Sequence, residues 1–172
     1  MTHLAEHSIA CAFAPHQFAP PYPRMIAQPR IRSRDARWPA LASALLAMRA
    51  ASRRSIRIVD ADCGAGSLLL CAVRHARALG FTAIEARGID QAAMHVRRAQ
   101  AAAAKLCDPA ISVTFETGMI VDALAAEAEF PADIVLWHGE TDTAMGHRVA
   151  EVVSSCGNTV IADDQSHPAA AA

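Results

Sequence analysis

Two acids that close apolar runs, and a glycine turn between them, are where this chain could do chemistry. Ile58-Val59-Asp60 ends a β-branched run in a carboxylate, Cys63-Gly64-Ala65-Gly66 forms a tight loop, and Ser67-Leu68-Leu69-Leu70 opens an apolar helix. Such a loop lets backbone N–H groups approach a ligand, because glycine has no Cβ to hold it off. After Gly64 and Gly66 the next position of a dinucleotide-binding turn is Leu69, where close helix–strand packing asks for glycine. No Gly-Lys-Ser/Thr follows, which excludes a P-loop. Asp60 would repel a pyrophosphate and suits a ligand carrying a cation. The second acid, Asp90, ends Arg87-Gly88-Ile89-Asp90, and its two oxygens match two ribose hydroxyls. Capping the next helix is the alternative role for Asp90, and the two are compatible. Gln91 would then lie beside the base.

Further along, Glu116-Thr117-Gly118-Met119 and Trp137-His138-Gly139-Glu140 close two more apolar runs. His138 is the candidate general base, because an unperturbed imidazole titrates near neutrality. A hydrogen-bonded structural histidine is the alternative, with Glu140 orienting it or capping the following helix. His138-Gly139-Glu140 has the H-x-E form of zinc deaminases, but no Pro-Cys-x-x-Cys follows, so no metal is expected.

These residues need strands and helices to hold them. Asp35 is placed as an N-cap before a helix running to about Ala51. Ile56–Asp60 reads as the first strand and Leu68–Leu79 as a helix stopped by Gly80. Ala83–Asp90 reads as the second strand, Ala92–Leu106 as an alanine-rich helix and Ile111–Phe115 as the third strand. Met119–Glu129 is expected to be helical, Ala132–Trp137 a strand, Thr143–Ser155 a helix and Thr159–Ala162 the fifth strand. Strands alternating with helices at this spacing predict a three-layer, doubly wound α/β fold. Its mostly parallel sheet has about five strands with helices on both faces. Ligands on such sheets bind at the carboxyl ends of the strands, where the strand order reverses.

Residues 1–33 differ. Pro15, Pro20, Pro21, Pro23 and Pro29 fix φ and remove donors, so this stretch reads as an extended arm. Phe13, Phe18, Tyr22 and Met25 give it anchors that a purely solvating leader would not need. Residues 34–165 form the folded domain and 166–172 a loose tail. The net charge of −1 gives no electrostatic case for bulk nucleic-acid binding, and no apolar run is long enough to span a bilayer. The five cysteines show no CxxC spacing, which suggests reduced thiols and a cytoplasmic setting.

The run Val59-Asp60-Ala61-Asp62-Cys63-Gly64-Ala65-Gly66 resembles motif I of the class I S-adenosylmethionine-dependent methyltransferases, hydrophobic-Asp/Glu-x-Gly-x-Gly-x-Gly. Asp62 stands where the first glycine usually is. The resemblance covers about residues 35–163. It implies S-adenosylmethionine as cofactor, with S-adenosylhomocysteine as product, held by Asp60, Cys63, Gly64, Ala65 and Gly66. Asp60 would lie near the methionine ammonium. Asp62 would add a second carboxylate there, or satisfy N–H groups of its own loop as an Asx-type turn residue. Asp90 and Gln91 would serve ribose and adenine, while Gly118, Met119, Trp137 and His138 would line the adenine and acceptor sides. Family members often carry Gly-Asp where this chain has Gly118-Met119, so adenine recognition would rest on backbone groups and apolar packing, with Asp122 one turn on as a less favoured substitute.

The resemblance implies a small-molecule or protein methyl acceptor. The alternatives are a non-catalytic or degenerate S-adenosylmethionine-binding domain with a regulatory or assembly role, and a nicotinamide-dependent reductase favoured only by Asp90. The Asn-Pro-Pro-Tyr of amino-methylating nucleic-acid enzymes is absent. Family domains usually continue past the fifth strand, whereas here the sequence stops some ten residues after Thr159–Ala162. A homodimer, or the arm folded over that edge, is therefore expected.

Overall fold

The computed structural model describes residues 32–139 and 142–163. The arm up to residue 31, Glu140 and the tail 166–172 lie outside the described residues, and with them the expectations placed on those segments. The elements run α1 (Trp38–Ala50), β1 (Ser55–Asp60), α2 (Ser67–Leu79), β2 (Ala83–Asp90), α3 (Ala93–Ala103), β3 (Ile111–Thr117), α4 (Ile120–Leu124), β4 (Ile134–Trp137), α5 (Ala144–Cys156) and β5 (Val160–Ala162). The five strands lie in the order β3-β2-β1-β4-β5, and each neighbouring pair is parallel. The order reverses between β1 and β4, so their carboxyl ends form the switch point of the sheet.

Strand side chains alternate between faces, and the core divides accordingly. Ile56, Ile58, Ile84, Ala86, Ile134 and Leu136 pack with buried residues of α1, α2 and α3. Val59, Ile89, Val135 and Trp137 pack with Leu124 of α4 and Val149, Val153 and Cys156 of α5. All four residues of β4 are buried, as a central parallel strand covered on both faces must be. No helix among the described residues is long and apolar enough to cross a membrane.

The differences from the sequence reading are local. Helix α1 starts two residues later than expected: its N-cap is Arg37, with Pro39 in the first turn, a position proline favours. Asp35 instead accepts the backbone N–H of Arg37 at 3.0 Å. Helix α3 ends at Ala103, and the helix expected over Met119–Glu129 shortens to α4 followed by a 3-10 turn, Ala125–Ala128. That tighter turn carries Glu127, 1% exposed, into ion pairs with Arg57 at 2.8 Å and Arg87 at 2.6 Å. Ala132 makes only an isolated bridge to Gly157, leaving β4 to begin at Ile134.

Candidate functional site

The loop after β1 is shaped by two glycines with different duties. Gly66, at φ +74°, caps α2, and a Cβ there would sit 2.6 Å from the Phe115 ring and 2.9 Å from the Ala99 side chain. Gly88 in β2 presses on the same ring. These two glycines make room for Phe115, so packing alone already requires glycine at position 66. Gly64, at φ +52°, has nothing within 4 Å of its would-be Cβ and faces open space. Cys63 is buried, and burial together with the nearby carboxylates of Asp60, Asp90 and Asp62 pushes its thiol up to about 12. It is a packing residue that donates weakly to the Gly64 carbonyl, Sγ to O 3.5 Å.

Asp90 ties three strand ends together. Its carboxylate accepts the N–H of Gly64 at 2.9 Å and of Ala92 at 2.7 Å, and its carbonyl accepts the N–H of Gly118 at 3.2 Å. The carboxylate therefore binds the backbone ahead of α3 while two oxygens keep further lone pairs for a ligand. His95 of α3 lies beside it, Nδ1 3.3 Å from Asp90 Oδ1, with its side chain 49% exposed.

On the other side of the loop sits a cation that the sequence reading did not identify. Arg37, its side chain 2% exposed, reaches Asp35 at 3.0 Å, Asp62 at 3.3 Å, Asp163 at 3.4 Å and Asp60 at 3.6 Å. Asp60 is fully buried, and neither of its oxygens has a hydrogen-bond partner among the described residues. Burial pushes its carboxyl up to about 7, against the opposing pull of Arg37. Asp62 is also raised by burial, while the hydrogen bonds and charge of Arg37 outweigh burial at Asp35 and hold it low. The Asx-type turn expected of Asp62 as one alternative is not seen. One of its oxygens accepts the His138 N–H at 2.9 Å and the other accepts from Arg37. Asp62 turns away from its own loop because the end of β4 offers it the His138 N–H across the switch point.

His138 has both ring nitrogens engaged. Nδ1 lies 2.6 Å from Asp163 and Nε2 3.3 Å from Arg37. A carboxylate only accepts and a guanidinium only donates, so Nδ1 carries the proton and Nε2 accepts. Partial burial would lower this imidazole, but the Asp163 hydrogen bond and the Asp62 charge raise it. With no ring nitrogen open, the hydrogen-bonded structural histidine matches this geometry better than a free base, although the side chain is 45% exposed.

A cleft of about 490 Å³ opens at the switch point. Of the residues singled out in the sequence, Asp62, Gly64, Asp90, Gln91, Trp137 and His138 line it. Asp60, Cys63, Ala65, Gly66, Gly118 and Met119 do not. Met119 is half exposed, and its neighbour Ile120 faces the cleft instead. The opposite wall comes from Thr143, Met145, Gly146 and Val149 at the start of α5, and His95 completes the Asp90 side. The sequence reading missed Arg37 and His95. A basic residue two positions after an acid at a helix start is the faint signal for Arg37, and His95 follows a ribose-type acid by five positions. A groove of similar volume at the amino ends of the strands has its charges paired internally, Arg57 with Glu85 at 3.3 Å and Arg53 with Asp133 at 2.7 Å. Among the described residues no group of three or more His, Cys, Asp or Glu could hold a metal ion.

No family model matches this chain, and no curated protein matches it. Among solved structures, WbdD crystallised with a kinase inhibitor is similar over 70% of this chain and 28% of its own, with 20% identity and a TM-score of 0.52. Another WbdD structure is described as a bifunctional kinase-methyltransferase. Magnesium protoporphyrin IX methyltransferase from Synechocystis PCC 6803, with S-adenosylhomocysteine bound, matches 70% of this chain and 51% of its own at 18% identity and TM-score 0.48. The cyclopropane synthase MmaA2 of Mycobacterium tuberculosis matches 57% and 30% at 13% identity and TM-score 0.39. This chain spans 18% of the length of one WbdD chain and 23% of another. The likeness is one of fold: a five-stranded parallel sheet ordered β3-β2-β1-β4-β5, with helices on both faces, is the core of the class I methyltransferase architecture.

Proposed function

We propose that the cleft at the β1–β4 switch point binds S-adenosylmethionine and that the protein transfers its methyl group to a small-molecule or protein acceptor. One observation carries this reading: Asp62, Gly64 and Asp90 line a single cleft, two carboxylates flanking a glycine whose missing Cβ leaves open space. The residues present fit the cofactor. Asp90 offers lone pairs to a ribose, Gln91 and Ile120 flank it for adenine, and acid in excess of the single guanidinium of Arg37 suits a cationic ligand. When bound, the cofactor supplies a methyl group already activated on a sulfonium. The chain's share is to align the acceptor in line with that methyl and to exclude water, which Trp137 and the start of α5 are placed to do.

A second reading, a non-catalytic S-adenosylmethionine-binding domain, draws its support from His138, whose ring nitrogens are both occupied. The proposed enzyme is cytoplasmic. It is also a homodimer or an arm-covered monomer, because β5 is a three-residue strand at the edge of the sheet. Light scattering with and without residues 1–31 tests that.

Thermal denaturation with added ligand tests the cofactor. S-adenosylhomocysteine at a hundredfold excess over its Kd is expected to stabilise the fold by about 2.7 kcal/mol. Asp90→Asn is expected to weaken that effect while the protein stays folded by circular dichroism. Stabilisation by NADH and none by S-adenosylhomocysteine refutes the assignment. Transfer of tritiated methyl from labelled cofactor to an acceptor separates the enzyme from the non-catalytic reading.

A further inference from the structure

Resting on the S-adenosylmethionine reading, we infer that Asp62, and not the first-strand acid Asp60, receives the ammonium of the bound ligand, because the chain's own Arg37 already serves as the counter-ion of Asp60. Asp60 is fully buried, does not line the cleft, and has both oxygens shut away from solvent without a hydrogen bond among the described residues. The cation beside it is Arg37 Nη1 at 3.6 Å. To reach Asp60, a ligand's ammonium would have to push aside a guanidinium also held by Asp35, Asp62 and Asp163 within 3.4 Å. Such displacement would strand a buried charge, which is strongly unfavourable.

Asp62 is differently placed. Its side chain is 23% exposed and lines the cleft. Its oxygens accept from the His138 N–H and from Arg37, one bond each, while a carboxylate has about four acceptor positions. Four carboxylates surround one guanidinium, and Asp62 is the one among them that the cleft exposes. The residue that departs from the glycine pattern thus supplies the charge that Arg37 has withdrawn from Asp60. Arg37 is a positioning residue: it neutralises Asp60 and, through its bonds to Asp62 and His138, fixes that wall of the cleft.

Isothermal titration of the full chain with S-adenosylhomocysteine and with adenosine tests this, since adenosine keeps the nucleoside and lacks the ammonium arm. In Asp62→Asn the ratio of the two affinities is expected to fall roughly tenfold, the size of one charged hydrogen bond, with adenosine binding changed by less than about twofold. Asp60→Asn should leave the ratio within about twofold, and Asp62→Glu should restore part of what Asp62→Asn loses. Each ratio is measured within one variant, so a fraction that fails to fold lowers stoichiometry and leaves the comparison intact. A ratio that falls as far in Asp60→Asn as in Asp62→Asn, or in neither, overturns the inference. Failure of the wild type to bind either ligand refutes instead the cofactor reading beneath it.

Discussion

Replacing Asp60 by Asn exchanges a fully buried, titratable carboxyl for a neutral amide of nearly the same shape, and the consequence depends on pH in a calculable way. Burial raises this carboxyl from 3.8 to about 7, even with Arg37 at 3.6 Å. An acid raised on folding holds its proton more tightly in the native state. Its contribution to stability is therefore complete below the unfolded value and is lost as pH rises through the folded one. Linkage between those two values makes the wild type about 2–3 kcal/mol more stable at pH 5 than at pH 8 from this one group. The Asn variant lacks that titration. Urea denaturation of both proteins at several pH values from 5 to 8 should show the variant gaining on the wild type by that amount as pH rises. The absolute offset also includes the cost of burying the amide, about 1–3 kcal/mol if its N–H groups find no acceptor, so the change with pH is the diagnostic quantity. A difference that stays constant across this range would refute the claim that Asp60 carries a burial-raised carboxyl.

Three further outcomes follow from the packing and burial. Gly88→Ala should destabilise by about 3 kcal/mol, because its Cβ would meet the Phe115 ring and the Cys63 sulfur, whereas Gly64→Ala should cost about 1 kcal/mol of backbone strain; equal costs from chemical denaturation would contradict the two duties assigned to these glycines. His75, buried against Trp38 with its imidazole lowered by desolvation, should cost stability as pH falls below 6.5 toward its folded value. His75→Phe should flatten that part of the wild-type pH profile, and an unchanged profile would argue against a buried neutral ring. Exposed Cys107 should be alkylated by iodoacetamide at pH 8 long before Cys63, whose thiol is held up to about 12, and mass spectrometry showing equal rates would count against the buried loop.

The alternation of strands and helices was legible because hydrophobic period and glycine or proline punctuation are local properties. Ala83–Asp90 was bounded to the residue, whereas Thr143, read as the first residue of its helix, is the N-cap of α5 and accepts the Gly146 N–H at 3.0 Å. The strand-end acids could be placed because a parallel sheet gathers its carboxyl ends. What escaped were interactions between residues far apart in the chain. Nothing local in Ser33-Arg34-Asp35-Ala36-Arg37 announces that one arginine will meet Asp60, Asp62 and Asp163 from two strand ends, those of β1 and β5. The break of the helix near Ala125 depends on Arg57 and Arg87 drawing in Glu127 from the sheet. The packing demand on Gly66 was hidden because the ring that needs its space, Phe115, belongs to a strand some fifty residues on.

The three backbone hydrogen bonds that converge on Asp90 also bear on kinetics. With Gly64, Ala92 and Gly118 already fastened to one residue, the floor of the cleft is assembled before anything enters it. A ligand arriving there meets a finished surface and has little chain to order, so association should be a single concentration-dependent phase with no slow isomerisation behind it.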